Sequence, residues 1–102
     1  MKVVFSTAKQ KGKKMQAVFF EKGKDGKMKK KKTIAFGAKN YLDYTAGATK
    51  EQRDRYRKRH TNSREDHNNP MTAGSLSFFI LWGSSKSKQA NIRAFKSRFN
   101  LS

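Results

Sequence analysis

The sequence of 102 residues contains no cysteine, which excludes disulfide bonds and thiolate metal sites. The absence of cysteine also favours a reducing compartment, because disulfides persist in oxidising ones. Acidic residues are scarce, with seven against 25 lysines and arginines, and the formal net charge is +18. Apolar residues make up only 34% of the chain, so a small core is expected.

Long hydrophobic segments are also missing. The first ten residues have no apolar stretch of the length that a signal peptide needs. The uncharged segment at residues 68–83 is shorter than the roughly 20 apolar residues that cross a bilayer. The sequence therefore predicts a single domain, residues 1–102, that is made inside the cell.

The excess of positive charge is the strongest feature of the composition. Like charges repel one another in a compact chain, and a bound polyanion relieves that repulsion. Nucleic acid is the commonest partner for such a surface, and acidic protein faces and anionic lipid headgroups are the alternatives. A purely solubilising role is less favoured, because a net charge of about 2–8 is usually sufficient for solubility.

Residues 1–37 predict an antiparallel β-meander. Three short segments rich in Val, Phe, Ile and Thr are separated by lysine and glycine, which is typical of strands joined by tight turns. The expected strands lie at 2–6, 14–21 and 31–37. The middle strand is apolar on both faces, so we expect helices over one face of the sheet and a partner over part of the other.

The remaining residues predict helices, which makes the expected fold class α+β. Thr49 can cap the first helix, and Asn69 and Pro70 suit the N-cap and first positions of the second. The third helix has apolar residues at a spacing that places them on one face. The predicted elements are a loop at 38–48, a basic helix at 49–62, an apolar helix at 69–83 and an amphipathic helix at 87–99.

The apolar helix contains five consecutive large hydrophobic residues, 78–82. A helix that is apolar on most sides is buried on most sides. Three short strands and one amphipathic helix provide little cover for it in a chain of this size. We therefore expect a protein interface here, with neighbouring subunits covering Phe78, Phe79, Leu81 and Trp82.

Clusters of cations mark the predicted anion-binding site. Arginines at i, i+4 spacing in the basic helix repel one another unless an anion lies between them, and guanidinium groups suit phosphate or carboxylate. The alternative is a solvated helix face that pairs with Glu51 and Asp54. The residues predicted to bind nucleic acid or an acidic partner are Arg53, Arg55, Arg57, Lys58, Arg59, Lys29, Lys30, Lys31 and Lys32.

Aromatic residues on the lysine-rich strands have two possible roles. Phenylalanines there could form a stacking platform for single-stranded nucleic acid. Core packing is the favoured role, because the glycine-aromatic motif of aromatic RNA-binding sheets is absent. The residues concerned are Phe5, Phe19, Phe20 and Phe36.

No catalytic constellation is visible in the sequence. His60, Glu65, Asp66 and His67 are potential metal ligands, but their spacing matches no known short motif. No glycine-rich phosphate loop and no nucleophile–base spacing stand out. The sequence therefore predicts no enzyme activity, no metal, no cofactor and no small-molecule substrate.

Three segments occur in order within about residues 30–83: TIAFGAKNYLDYT, RDRYRKRH and NNPMTAGSLSFFILWG. Together they resemble a family of small basic proteins from large nucleocytoplasmic DNA viruses of algae and amoebae. The matching features are Phe36-Gly37, the tyrosine-rich loop 41–45, and the segments 55–60 and 70–82. A tryptophan usual before Pro70 is missing, and residues 76–79 replace an aromatic–basic pair. The resemblance implies the context of a virion with a protein shell, an internal membrane and packaged DNA, and the family has no established activity to carry over to this chain.

Two hypotheses follow from charge, apolar helix and resemblance. In the first, which the apolar helix favours, the chain is a minor capsid or cementing protein of the virion, made in the host cytoplasm. It would dock its apolar helix into viral capsid proteins and bind acidic protein faces, an anionic membrane surface or the genome. In the second, it binds or condenses DNA or RNA without sequence specificity, by counterion release.

Overall fold

The structure is a computed structural model that describes residues 1–61 and 67–102. The predicted α+β class is confirmed, because a three-stranded antiparallel sheet, in the order β1-β2-β3, is followed by helices. Among the described residues, no helix has the length and apolarity needed to span a bilayer. The elements are β1 Lys2–Thr7, β2 Lys13–Lys22, β3 Met28–Ala38, a 3₁₀ turn Tyr44–Ala46, α1 Lys50–Thr61, α2 Ala73–Leu76, a π-helical segment Ser77–Leu81 and α3 Lys88–Arg98.

The third strand begins three residues before the predicted start, because Met28, Lys29 and Lys30 also pair with β2. Lys22 pairs with Met28, and a turn in which Gly23 N–H donates to the Lys27 carbonyl joins the two strands. β1 pairs with β2 only as far as Phe20. The end of the β2–β3 hairpin, residues 21–32, therefore reaches beyond β1, and we call it the lysine arm.

One face of the sheet forms the core with the helices. The strand residues in the core alternate along β1, β2 and β3, as expected for side chains that point to one face. α2, the π segment and α3 supply the opposite wall. The buried residues of this core are Val3, Ala17, Phe19, Ile34, Phe36, Leu76, Ile80, Leu81, Ile92 and Phe95.

The loop predicted at 38–48 contains the 3₁₀ turn and is held to the sheet by a charge pair. The Asp43 side chain accepts a hydrogen bond from Ala46 N–H and so caps the turn. The Lys14 ammonium donates to the Asp43 carboxylate and to the Tyr41 carbonyl. Because Asp43 is only 2% exposed, this lysine serves the fold.

The predicted start of the apolar helix at Asn69 is wrong. α2 begins at Ala73, and the Thr72 side chain caps it by accepting a hydrogen bond from Ser75 N–H. The Asn69 side chain instead accepts a hydrogen bond from Met71 N–H, two residues further on, which is the geometry of a local turn. The helix then widens to a π-helix at Ser77–Leu81 and ends at Trp82.

The expectation that other molecules must cover residues 78–82 is wrong for Phe78 and Leu81, which the chain itself buries. Phe78 is 6% exposed, Ile80 is fully buried and Leu81 is 2% exposed in the isolated chain, while Phe79 and Trp82 are half-buried. The expectation counted apolar cover alone, whereas aromatic faces also accept cations and polar rings. The covering groups are His67 and Arg57 on Phe78, Arg98 on Phe79 and Tyr56 on Trp82.

Candidate nucleic-acid interface

Arg53 and Arg57, which lie one turn apart on α1, attach this helix to the end of the π segment. Arg53 Nε donates to the Gly83 carbonyl at 2.6 Å. Arg57 Nη1 donates to the carbonyls of Phe78 at 2.9 Å and Trp82 at 2.8 Å. The last carbonyls of a helix lack donors within the helix and carry partial negative charge. Two of the predicted anion-binding arginines thus bind backbone carbonyls.

Arg57 is also held against an aromatic face. Its guanidinium carbon lies 3.9 Å from the centre of the Phe78 ring. Burial lowers the pKa of Arg57 below the ordinary arginine value, and the nearby charges of Arg53 and Arg98 lower it further. The buried charge is therefore costly, and the two carbonyls and the ring offset that cost.

The other three predicted cations of α1 face solvent. Arg55, Lys58 and Arg59 are exposed, and Arg59 lies 5.8 Å from the centre of the Tyr56 ring. Of the five predicted cations on this helix, these three remain available to an anion. The predicted helix extended to Asn62, which lies outside the described residues.

A stack of three rings holds α1 in place, although the helix has no buried residue. Tyr56 stacks on Trp82 with ring centres 4.3 Å apart, and His60 stacks on the other side of Tyr56 at 3.9 Å. Sequence reasoning missed this stack. The signal was the spacing of Tyr56 and His60, which places them on the same helix face.

The residues that sequence analysis considered as metal ligands are separated in space or fall outside the described chain. His60 stacks on Tyr56, whereas His67 stacks on Phe78. Glu65 and Asp66 lie outside the described residues. Within residues 1–61 and 67–102, no group of three or more such side chains could hold a metal ion.

The lysine arm contains seven lysines and two acidic residues, and both acids are engaged within the arm. Glu21 Oε2 accepts from Lys31 Nζ at 3.1 Å, and Asp25 Oδ1 accepts from Lys27 N–H at 3.1 Å. Lys32 Nζ donates to the Met71 carbonyl at 3.3 Å. The four predicted lysines at 29–32 lie on β3, and all four are exposed.

The sheet has a second face, opposite the helices, which we call the outer face. Strand register arranges its residues in three rows of three across β1, β2 and β3. The nine residues include two lysines and no acid. The rows are Lys2, Phe20 and Lys30; Val4, Val18 and Thr33; and Ser6, Gln16 and Ala35.

The four phenylalanines considered for stacking divide between the two faces. Phe19 and Phe36 are fully buried in the core. Phe5 packs edge-on against Phe36 and Phe95, on the same side. Phe20 pairs with Lys2 and Lys30 and lies half-buried on the outer face. The favoured role in core packing therefore holds for three of the four.

Comparisons with known proteins give one match. No curated protein and no solved structure matches the chain. A family of unknown function, DUF5754, matches residues 3–60, a segment that contains the whole sheet beyond Lys2 and most of α1. Because this segment is more than half of the chain, the protein belongs to the DUF5754 family.

Proposed function

We propose that the protein binds nucleic acid without sequence readout, with the lysine arm as the principal contact. The observation that carries this proposal is the arm itself. Its seven lysines lie on a paired hairpin, in which Glu21 pairs with Lys31 and Asp25 accepts from the Lys27 N–H of the turn. With seven lysines against two acids, the arm presents a surface with a large excess of positive charge.

The form of the arm suits a phosphate backbone. Lysines that neutralise phosphates release condensed counterions, which drives binding of any sequence. A two-stranded β-ribbon also fits the width of the major groove of duplex DNA. Because the lysines at 29–32 lie on a paired strand, their backbone order is established before binding.

The exposed cations of α1 form a second positively charged surface. Arg55, Lys58 and Arg59 face solvent, while Arg53 and Arg57 bind carbonyls of the fold. We therefore assign the first three, together with the arm, to phosphate contacts.

The virion hypothesis remains a prediction, but its main physical reason is weaker. That reason was an apolar row left uncovered by the chain, and the fold covers Phe78 and Leu81 almost completely. A role at the packaged genome is compatible with nucleic-acid binding. Docking into viral capsid proteins needs a surface other than these two residues.

Binding to random-sequence duplex DNA tests the proposal directly. Fluorescence anisotropy would give the affinity at several salt concentrations. Six or more phosphate contacts lower the affinity by about 10³-fold or more between about 50 and 200 mM salt. An affinity that hardly changes over this range contradicts the proposal.

A set of lysine variants locates the contact. Lys24, Lys27 and Lys29, all exposed in the arm, are changed together to glutamine. The control changes three exposed lysines outside the arm to glutamine and so removes the same amount of charge: Lys39, Lys50 and Lys88. We expect the arm variant to lower the salt slope by roughly 2–3 units. An equal loss in both variants would contradict the assignment to the arm.

An anionic membrane surface is the competing partner. Vesicles that contain phosphatidylserine present the same sign of charge without bases or a groove. At equal salt, we expect DNA to displace the protein from such vesicles. Vesicles that instead displace DNA contradict the proposal and favour a membrane role.

A further inference from the structure

We propose that the outer face of the sheet binds single-stranded nucleic acid, with a base stacked on Phe20 and the adjacent phosphates held by Lys2 and Lys30. This inference rests on the proposed function, and it names the form of nucleic acid and the surface that reads that form.

The arrangement of Phe20 within its row supports the inference. Phe20 is the central residue of a row across three strands, with Lys2 opposite on β1 and Lys30 opposite on β3, next to a register shift between β2 and β3. Neighbouring strands lie about 4.8 Å apart, and directly paired side chains point to the same face. One aromatic ring is therefore flanked on both sides by cations that can reach past it.

The rest of the outer face suits the same ligand. The second row is Val4, Val18 and Thr33, and Val4 is 42% exposed. A depression of about 460 Å³ lies over this face. The nine residues of the face include no acid, so nothing on it repels a phosphate. Lys30 also belongs to the lysine arm, which makes the two surfaces continuous.

The Phe20 ring distinguishes single strands from duplexes. In a duplex each base face is covered by the next base pair, so a protein ring cannot stack on it without disrupting the stack. In a single strand the base faces are available, and stacking on an aromatic side chain is tolerant of sequence. Lysines alone bind both forms, so the ring is the element that favours an unpaired strand.

Substitution of Phe20 tests the inference. Phe20→Leu keeps an apolar side chain on the half-buried site and removes the ring, and Phe20→Trp restores a stacking surface. The control is Tyr41→Leu, which removes an aromatic ring that is 75% exposed in the loop after β3. The probes are a thymine oligonucleotide of about 12 nucleotides carrying one 2-aminopurine, and the matching duplex.

We expect Phe20→Leu to weaken single-strand binding by about 5- to 150-fold, the range expected for the loss of one stacked base. The quenching of 2-aminopurine should be lost as well, because quenching reports stacking. Phe20→Trp should restore both, and Tyr41→Leu should change neither. Duplex affinity and the salt slope should be the same in Phe20→Leu as in the unchanged protein.

Two results would overturn the inference. If Phe20→Leu changes neither the single-strand affinity nor the quenching, the ring is not part of the site. In that case a steep dependence of affinity on salt would still support the proposed function. Equal weakening of single strand and duplex would show that the ring does not distinguish them. A flat salt response with both probes would contradict the proposed function itself.

Discussion

Arg57 shows how the cations of α1 differ at the level of single residues. Its Nη1 donates to two carbonyls while the planar guanidinium lies against the Phe78 ring, and a lysine ammonium has no planar group to place there. Arg57→Lys should therefore lower the free energy of unfolding by about 1–3 kcal/mol. Arg55→Lys on the exposed side of the same helix should change it by less than about 0.5 kcal/mol. Urea denaturation measures both, and equal losses would contradict the assignment of Arg57 to the fold.

Asn91 joins α3 to the end of the π segment. It is 3% exposed, its Nδ2 donates to the carbonyls of Ile80 at 2.8 Å and Ser85 at 2.7 Å, and its Oδ1 accepts from Ser85 N–H at 3.1 Å. Asn91→Leu keeps the approximate volume but leaves these backbone groups without their partner. The expected loss of stability is about 2–4 kcal/mol.

The matched control for Asn91 is Gln89→Leu, an exposed amide on the same helix. It should change the free energy of unfolding by no more than about 0.5 kcal/mol. If Asn91→Leu were as stable as this control in urea denaturation, the Asn91 hydrogen bonds would contribute little to the junction.

At the level of elements, local signals predict some parts of the fold and not others. The strands up to Gly37 and α3 follow from alternation, helical spacing and the capping Ser87. Lys29 and Lys30 precede the predicted start of the strand and have low strand propensity, so their strand conformation comes from pairing with β2, which no local pattern reveals. The cation clusters were visible in sequence, but the role of Arg53 and Arg57 depends on where the π segment ends.

Helix α1 should open before the rest of the fold. It has no buried residue and attaches through polar hydrogen bonds and the Tyr56 stack, whereas α3 buries Ile92 and Phe95. Regions with little buried apolar surface open at low free energy. We expect the amides of α1 to exchange with solvent at a lower free energy than those of α3.

Native-state hydrogen exchange measures this difference. Tyr56→Leu should lower the protection of α1 further and leave β2 unchanged, because the stack is a contact between α1 and Trp82. Amides of α1 that exchange only by global unfolding would show that this helix is as firmly held as the core.

For the whole molecule, the net charge of +18 makes salt act on stability and binding in opposite directions. In the free protein, added salt screens the repulsion among 25 cationic residues, so the melting temperature should rise with salt. In the complex, the phosphates of the nucleic acid already neutralise part of that charge. Salt then weakens the complex by counterion release.

The two effects predict that the melting temperatures of the free protein and the complex converge as the salt concentration rises. At low salt, an oligonucleotide at about 100 times Kd should stabilise the fold by about 2.7 kcal/mol, which is roughly 10–20 °C for a domain of this size. Raising the salt should raise the melting temperature of the free protein and lower that of the complex until the two agree. Differential scanning fluorimetry across a salt series measures both. If the oligonucleotide shift persisted at high salt, contacts other than phosphate neutralisation would dominate, and the Phe20 variants would show whether stacking supplies them.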